Sequence, residues 1–182
     1  MSTENRLEIE IKVRVGALPP WHEKLLGLGA DVLSPRALER NLVFDTPENL
    51  LREQGHLLRL RRQEARCTLT MKMPAQRDSA YKVREEIELE VSDFSAMEMI
   101  LLRIGLRPFF AYEKYREVLR MDGVRIMLDE TPIGNFLEIE GEPAAIDTAA
   151  AGLGFSRSDY ITDSYYLLFL LSGHSGDMVF AE

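Results

Sequence analysis

Residues 6–15 read RLEIEIKVRV. Leu7, Ile9, Ile11, Val13 and Val15 fall on one side of a two-residue repeat, which is the pattern of a β-strand. Arg6, Glu8, Glu10, Lys12 and Arg14 fall on the other side. That second face is wholly ionisable, whereas a solvated strand face ordinarily mixes in Thr, Ser and Gln. Strand-like runs return in residues 40–46, 57–62, 67–73, 82–91, 112–121, 124–129 and 136–140, most of them with ionisable residues on one face. Asp122-Gly123 is a two-residue hairpin turn between two of these runs. Helical spacing is expected in residues 21–30, 95–104, 144–153 and 163–171, with Ser95 and Glu98 as a capping box and the tail from Ser172 frayed. Eight strands joined mostly by turns predict an α+β chain built on an antiparallel sheet, and eight is a number that suits closure into a β-barrel with flanking helices.

Charges of one sign recur two residues apart on a single face: Glu8/Glu10, Arg59/Arg61, Lys114/Arg116 and Glu138/Glu140. Such neighbours stand about 7 Å apart along a strand and repel each other. A fold tolerates that best with an opposite charge between them. Carboxylate clusters suit a hard divalent cation, Mg²⁺ or Mn²⁺. Lys and Arg clusters suit a chain of phosphates, which Arg grips bidentately. The alternative is an open antiparallel sheet with one wet face.

The remaining composition is that of an ordinary globular chain. Of 182 residues, 46% are apolar and 29% charged, which argues against disorder. One domain is expected, with a core over residues 5–172 and a tail over 173–182. Cys67 is the single cysteine, which excludes a disulfide framework or a cysteine-based zinc site within the chain. The opening MSTENR lacks an apolar signal-peptide segment, and no apolar run is long enough to span a bilayer, so a cytoplasmic protein without membrane contact is expected. The net charge of −8 argues against nucleic acid as a partner. His22, His56 and His174 have no ligand spacing, and no Walker loop or Ser/His/Asp signature is present. Arg62, Arg66 and Arg77 are basic residues that would steer anions if they stood at a tunnel mouth.

Several blocks together resemble the CYTH superfamily of triphosphate tunnel metalloenzymes. Glu8-Ile9-Glu10-Ile11-Lys12 is similar to its ExExK signature. Val43-Phe44-Asp45-Thr46-Pro47, followed by Leu58-Arg59-Leu60-Arg61, is similar to its second block. Leu69-Thr70-Met71-Lys72, Arg84-Glu85-Glu86-Ile87-Glu88, Glu113-Lys114-Tyr115-Arg116, Leu128-Asp129 and Leu137-Glu138-Ile139-Glu140 follow in family order.

The resemblance implies an eight-stranded tunnel that holds a triphosphate-containing small molecule with Mg²⁺ or Mn²⁺. By position it implies Glu8, Glu10, Asp129, Glu138 and Glu140 as metal ligands. It implies Lys12, Arg59, Arg61, Lys72, Arg84, Lys114 and Arg116 as the substrate-binding and catalytic cations. Glu86 and Glu88 would be metal or water-positioning groups. The expected activity is hydrolysis of tripolyphosphate or of an organic triphosphate such as thiamine triphosphate. The alternatives are conversion of ATP to cyclic AMP and pyrophosphate, as in class IV adenylate cyclases, and non-catalytic polyphosphate or nucleotide binding. Class IV cyclases often carry a His-Phe pair ahead of ExExK, and this chain has MSTENRL there. Family members are often homodimers.

Overall fold

A computed structural model describes residues 5–76 and 80–181, with the backbone alone described for Asn5 and Arg6. The elements in chain order are β1 (Asn5–Val15), α1 (Pro19–Gly27), β2 (Asp31–Asp45), α2 (Leu50–Glu53), β3 (Leu57–Gln63), β4 (Arg66–Lys72) and β5 (Lys82–Val91). Then come α3 (Phe94–Arg103), β6 (Arg107–Met121), β7 (Val124–Thr131), β8 (Gly134–Glu140), α4 (Pro143–Leu153) and α5 (Tyr165–Leu171). The strands close into a barrel in the order β1-β5-β4-β3-β2-β6-β7-β8, and every pair is antiparallel.

The barrel is the reverse of an oily one, with charge inside and the apolar faces outside, where helices cover them. Ile11, Val13, Ile126, Leu137 and Ile139 pack beneath α1 and α4, against Leu25, Ile146, Ala150 and Leu153. Phe44 and Leu60 pack against Leu101 of α3. The third cluster lies at one end, where Val43, Phe110, Tyr112 and Phe136 meet Tyr165, Leu168 and Phe169 of α5. Burial of these apolar residues at about 25 cal/mol per Å² is the main term holding the helices down. Among the described residues, no helix is long and apolar enough to cross a membrane.

Local sequence explains most boundaries. Asp122 and Gly123 both take positive φ, 49° and 81°, as a two-residue hairpin turn requires. Three expectations need correction. The cap of α3 is Asp93, whose carboxylate accepts the Ala96 amide at 3.0 Å, so Ser95 and Glu98 are no capping box. β2 starts at Asp31 and not at residue 40. Its first half contains Pro35 and runs through register shifts between Val32 and Ala37, which hide the two-residue repeat.

Nor is the tail frayed. Met178 is fully buried and pairs in parallel with Tyr112 on β6: its amide donates to the Ala111 carbonyl and its carbonyl accepts from the Glu113 amide. β7 pairs with β6 only from Tyr115 onward, so the tail fills the edge that β7 leaves.

Candidate functional site

A cavity of about 970 Å³ runs through the barrel. Eleven Lys and Arg side chains and eight Glu side chains line it, so the lumen is basic although the chain as a whole is acidic. The two-residue repeat puts them there: every second residue of each strand points inward.

The opposite charges interlock across neighbouring strands. Lys12 donates to Glu10 at 2.8 Å and lies 3.4 Å from Glu138. Lys82 reaches the same Glu10 carboxylate at 2.8 Å. Lys72 bridges Glu8 and Glu86. Arg116 spans Asp129 and Glu138. Arg59 donates weakly to Tyr112 Oη at 3.4 Å and to Thr70 at 3.3 Å, and Thr70 donates to Glu88 at 2.8 Å. Arg125 stands 3.7 Å from Glu140.

Burial opposes ionisation throughout, but at Glu10 and Glu138 the partners win. Lys12 and Lys82 hold the Glu10 carboxyl well below the usual range. Arg116 and Lys12 do the same for Glu138. Burial lowers Lys82, with Glu10 offsetting only part of the effect.

Two of the expected site residues are held by neighbouring groups. Asp129 shares the inner face with its register partner Arg116 but is fully buried beneath the side chains that line the cavity. It accepts from Lys114 at 2.9 Å, from Arg116 and from the Tyr165 hydroxyl at 2.7 Å, so its valence is filled by cations that it aims. Arg84 points into the lumen, yet its guanidinium clasps the carbonyls of Met73 and Gly55, both at 2.6 Å, and ties β5 to the loops beside it. The other six expected cations, Lys12, Arg59, Arg61, Lys72, Lys114 and Arg116, line the cavity. Glu86 and Glu88 act as counter-ions to Lys72 and, at 3.9 Å, to Arg59. Asp45, from the family-like second block, lies outside the lumen and caps α2 by accepting the Leu51 and Arg52 amides.

Of the mouth residues, Arg66 lines the cavity in a pair with Glu90. Arg62 stacks over Phe94 on the outer face. Arg77 lies outside the described residues. The sequence reading missed Glu39, Asn41, Tyr112 and Tyr165. Asn41 accepts from Arg61 Nε at 2.9 Å. The Tyr165 ring lies under Lys12 and Lys114, with their ammonium groups 5.4 and 5.0 Å from its centre.

The CYTH domain profile matches residues 6–165. The chain belongs to the CYTH family. It is 28% identical over 135 residues to a Methanocaldococcus jannaschii protein named "Putative adenylate cyclase MJ0240", a match spanning 74% of this chain and 76% of that protein. Among solved structures it superposes on a "putative adenylate cyclase" of Vibrio parahaemolyticus with a TM-score of 0.78 at 19% identity, covering 92% of this chain and 99% of that one. It also superposes on HpAC1 from Hippeastrum, a "putative adenylyl cyclase" described as having a dominant triphosphatase activity. That TM-score is 0.68 at 24% identity, with 92% and 97% covered. Both likenesses are in fold, the closed eight-stranded antiparallel barrel with flanking helices.

The chemistry of the lumen carboxylates fits the divalent cation that the family implies. Glu8 and Glu10 on β1 and Glu138 and Glu140 on β8 lie on adjacent strands, and Glu10 is the register partner of Glu140. All are hard oxygen donors with no thiol or imidazole among them. In the described residues no three of them converge into a cage, because lysines and arginines hold them apart.

Proposed function

We propose that this CYTH protein is a divalent-metal-dependent hydrolase of a small triphosphate, acting inside the barrel as one cytoplasmic domain. The observation that carries this reading is the interlocked lumen, where each carboxylate on β1 and β8 is paired with a cation fit to hold phosphate. Lys12, Arg59, Arg61, Lys72, Lys114 and Arg116 grip the phosphate oxygens. Glu8, Glu10, Glu138 and Glu140 would hold Mg²⁺ or Mn²⁺, which supplies charge neutralisation on the phosphates and an acidified water. A triphosphate takes over the cations while the carboxylates turn to the metal, so ion pairs are exchanged and not lost. Lys12 and Lys114, fixed over the Tyr165 ring, keep their direction during that exchange. Preorganised charge of this kind stabilises negative charge growing on the transferred phosphoryl group.

Phosphate release from tripolyphosphate, thiamine triphosphate, ATP and pyrophosphate with Mg²⁺ or Mn²⁺ tests the proposal. Phosphate from one triphosphate without cyclic AMP supports it. Cyclic AMP from ATP without phosphate makes the protein a cyclase, and metal-independent binding without turnover makes it a sensor.

Two further outcomes are expected. Arg59→Ala weakens triphosphate binding about 10–100-fold, the worth of a charge-assisted hydrogen bond, with a smaller effect on kcat. The second concerns Tyr112. Burial would raise its phenol, but Arg59, Arg61 and Lys114 outweigh that and bring it down to about 8. Above that pH a tyrosinate adds negative charge to the phosphate-gripping wall. A bound polyanion favours the protonated phenol, so affinity falls as pH rises through about 8. Tyr112→Phe removes that fall. Tripolyphosphate titrations on either side of this pH, for both proteins, check it.

A further inference from the structure

Glu39 is 1% exposed and lines the lumen from β2, between β3 and β6. Its Oε1 lies 3.3 Å from Arg61. Its Oε2 is buried, stands 3.7 Å from the Lys114 ammonium and receives no hydrogen bond among the described residues. Burial disfavours its charge, yet Arg61, Lys114 and Arg116 hold its pKa at about 2, so it is a carboxylate and an acceptor only. The other buried side-chain atoms lacking a partner among the described residues are His56 Nδ1, Arg59 Nε and Thr68 Oγ1. They belong to the same wall, on β3, on β4 and just ahead of β3.

A purely neutralising role does not explain Glu39. Its ion pair with Arg61 uses Oε1, and Lys114 already has Asp129 at 2.9 Å, so neither accounts for Oε2. An unpartnered acceptor amid phosphate-gripping cations is poorly matched to a bare polyphosphate, whose oxygens are acceptors at neutral pH and repel it. A hydroxyl or amino group satisfies it.

We propose that Glu39 is a specificity residue that accepts a hydrogen bond from a hydroxyl or amino group on the organic part of the substrate, so that the cavity selects an organic triphosphate over tripolyphosphate. This rests on the reading of the lumen as a triphosphate site. Sites built around a donor–acceptor pair reject partners that lack one member.

The test is calorimetric binding of ATP, methyl triphosphate and tripolyphosphate, each with Mg²⁺, and of Mg²⁺ alone, to the full chain and to Glu39→Gln and Glu39→Ala. Circular dichroism establishes that the variants fold. The wild type is expected to bind ATP at least about tenfold more tightly than the two ligands without a donor, and both variants to lose about tenfold of that preference, while loss of the carboxylate charge leaves the two ligands without a donor bound at least as tightly. Equal losses on all three ligands, a wild-type preference for tripolyphosphate, or weaker Mg²⁺ binding without ligand in the variants each overturn it. Wild-type protein that binds none of the three overturns the triphosphate reading itself, a result independent of Glu39.

Discussion

Glu138→Gln is expected to fold and to lose metal-dependent turnover by about 10²–10³-fold, the scale seen when one preorganised group is removed from a charged site. Glu138 sits on β8, nearly buried, held by Arg116 and 3.4 Å from Lys12. Gln keeps the shape and the acceptor oxygen but removes the charge that a divalent cation requires. The framework loses little, because Lys12 keeps Glu10 and Arg116 keeps Asp129. Phosphate release together with a circular dichroism spectrum checks both halves, and full turnover in this variant would remove Glu138 from the metal set.

Asp129→Asn is expected to do the opposite first: to destabilise the fold by about 3–5 kcal/mol, the loss typical of breaking a buried charge pair from one side. Asp129 is fully buried and takes donors from Lys114, Arg116 and Tyr165. An amide presents its own N–H groups to donors, and two cations lose their counter-charge. Urea unfolding measures the change. A loss below about 1 kcal/mol would show that Glu138 and Glu39 carry those cations unaided.

The barrel was legible because the eight strand runs could be read from the sequence, and the inverted polarity was legible because residues such as Glu8, Glu10 and Lys12 left no neutral polar residue on that face of the first. Glu39 was not legible. It lies one residue ahead of the run read from residue 40, and the register shifts between Val32 and Ala37 hide the strand's extension to that side. The two roles of the acidic residues were also hidden. Asp129 and Glu138 read alike as carboxylates on strands, and only the fold shows one buried beneath Lys114, Arg116 and Tyr165 and the other lining the cavity. Arg84 lies in a motif block and faces inward, yet its donors are spent on backbone carbonyls, which no spacing rule records. The tail misled because one Met in a polar, glycine-containing stretch carries its anchoring.

The strand order has a consequence for how the chain comes together during synthesis. β1 lies between β5 and β8, so the first of these strands to leave the ribosome is the last to gain both neighbours. Until Glu140 has been made, its alternating apolar face has no α4 to cover it and one of its edges stays open. Contacts so distant in sequence form slowly, and unpaired edges invite association with other chains. The nascent protein therefore passes through a stage in which β1 is the strand most in need of a chaperone.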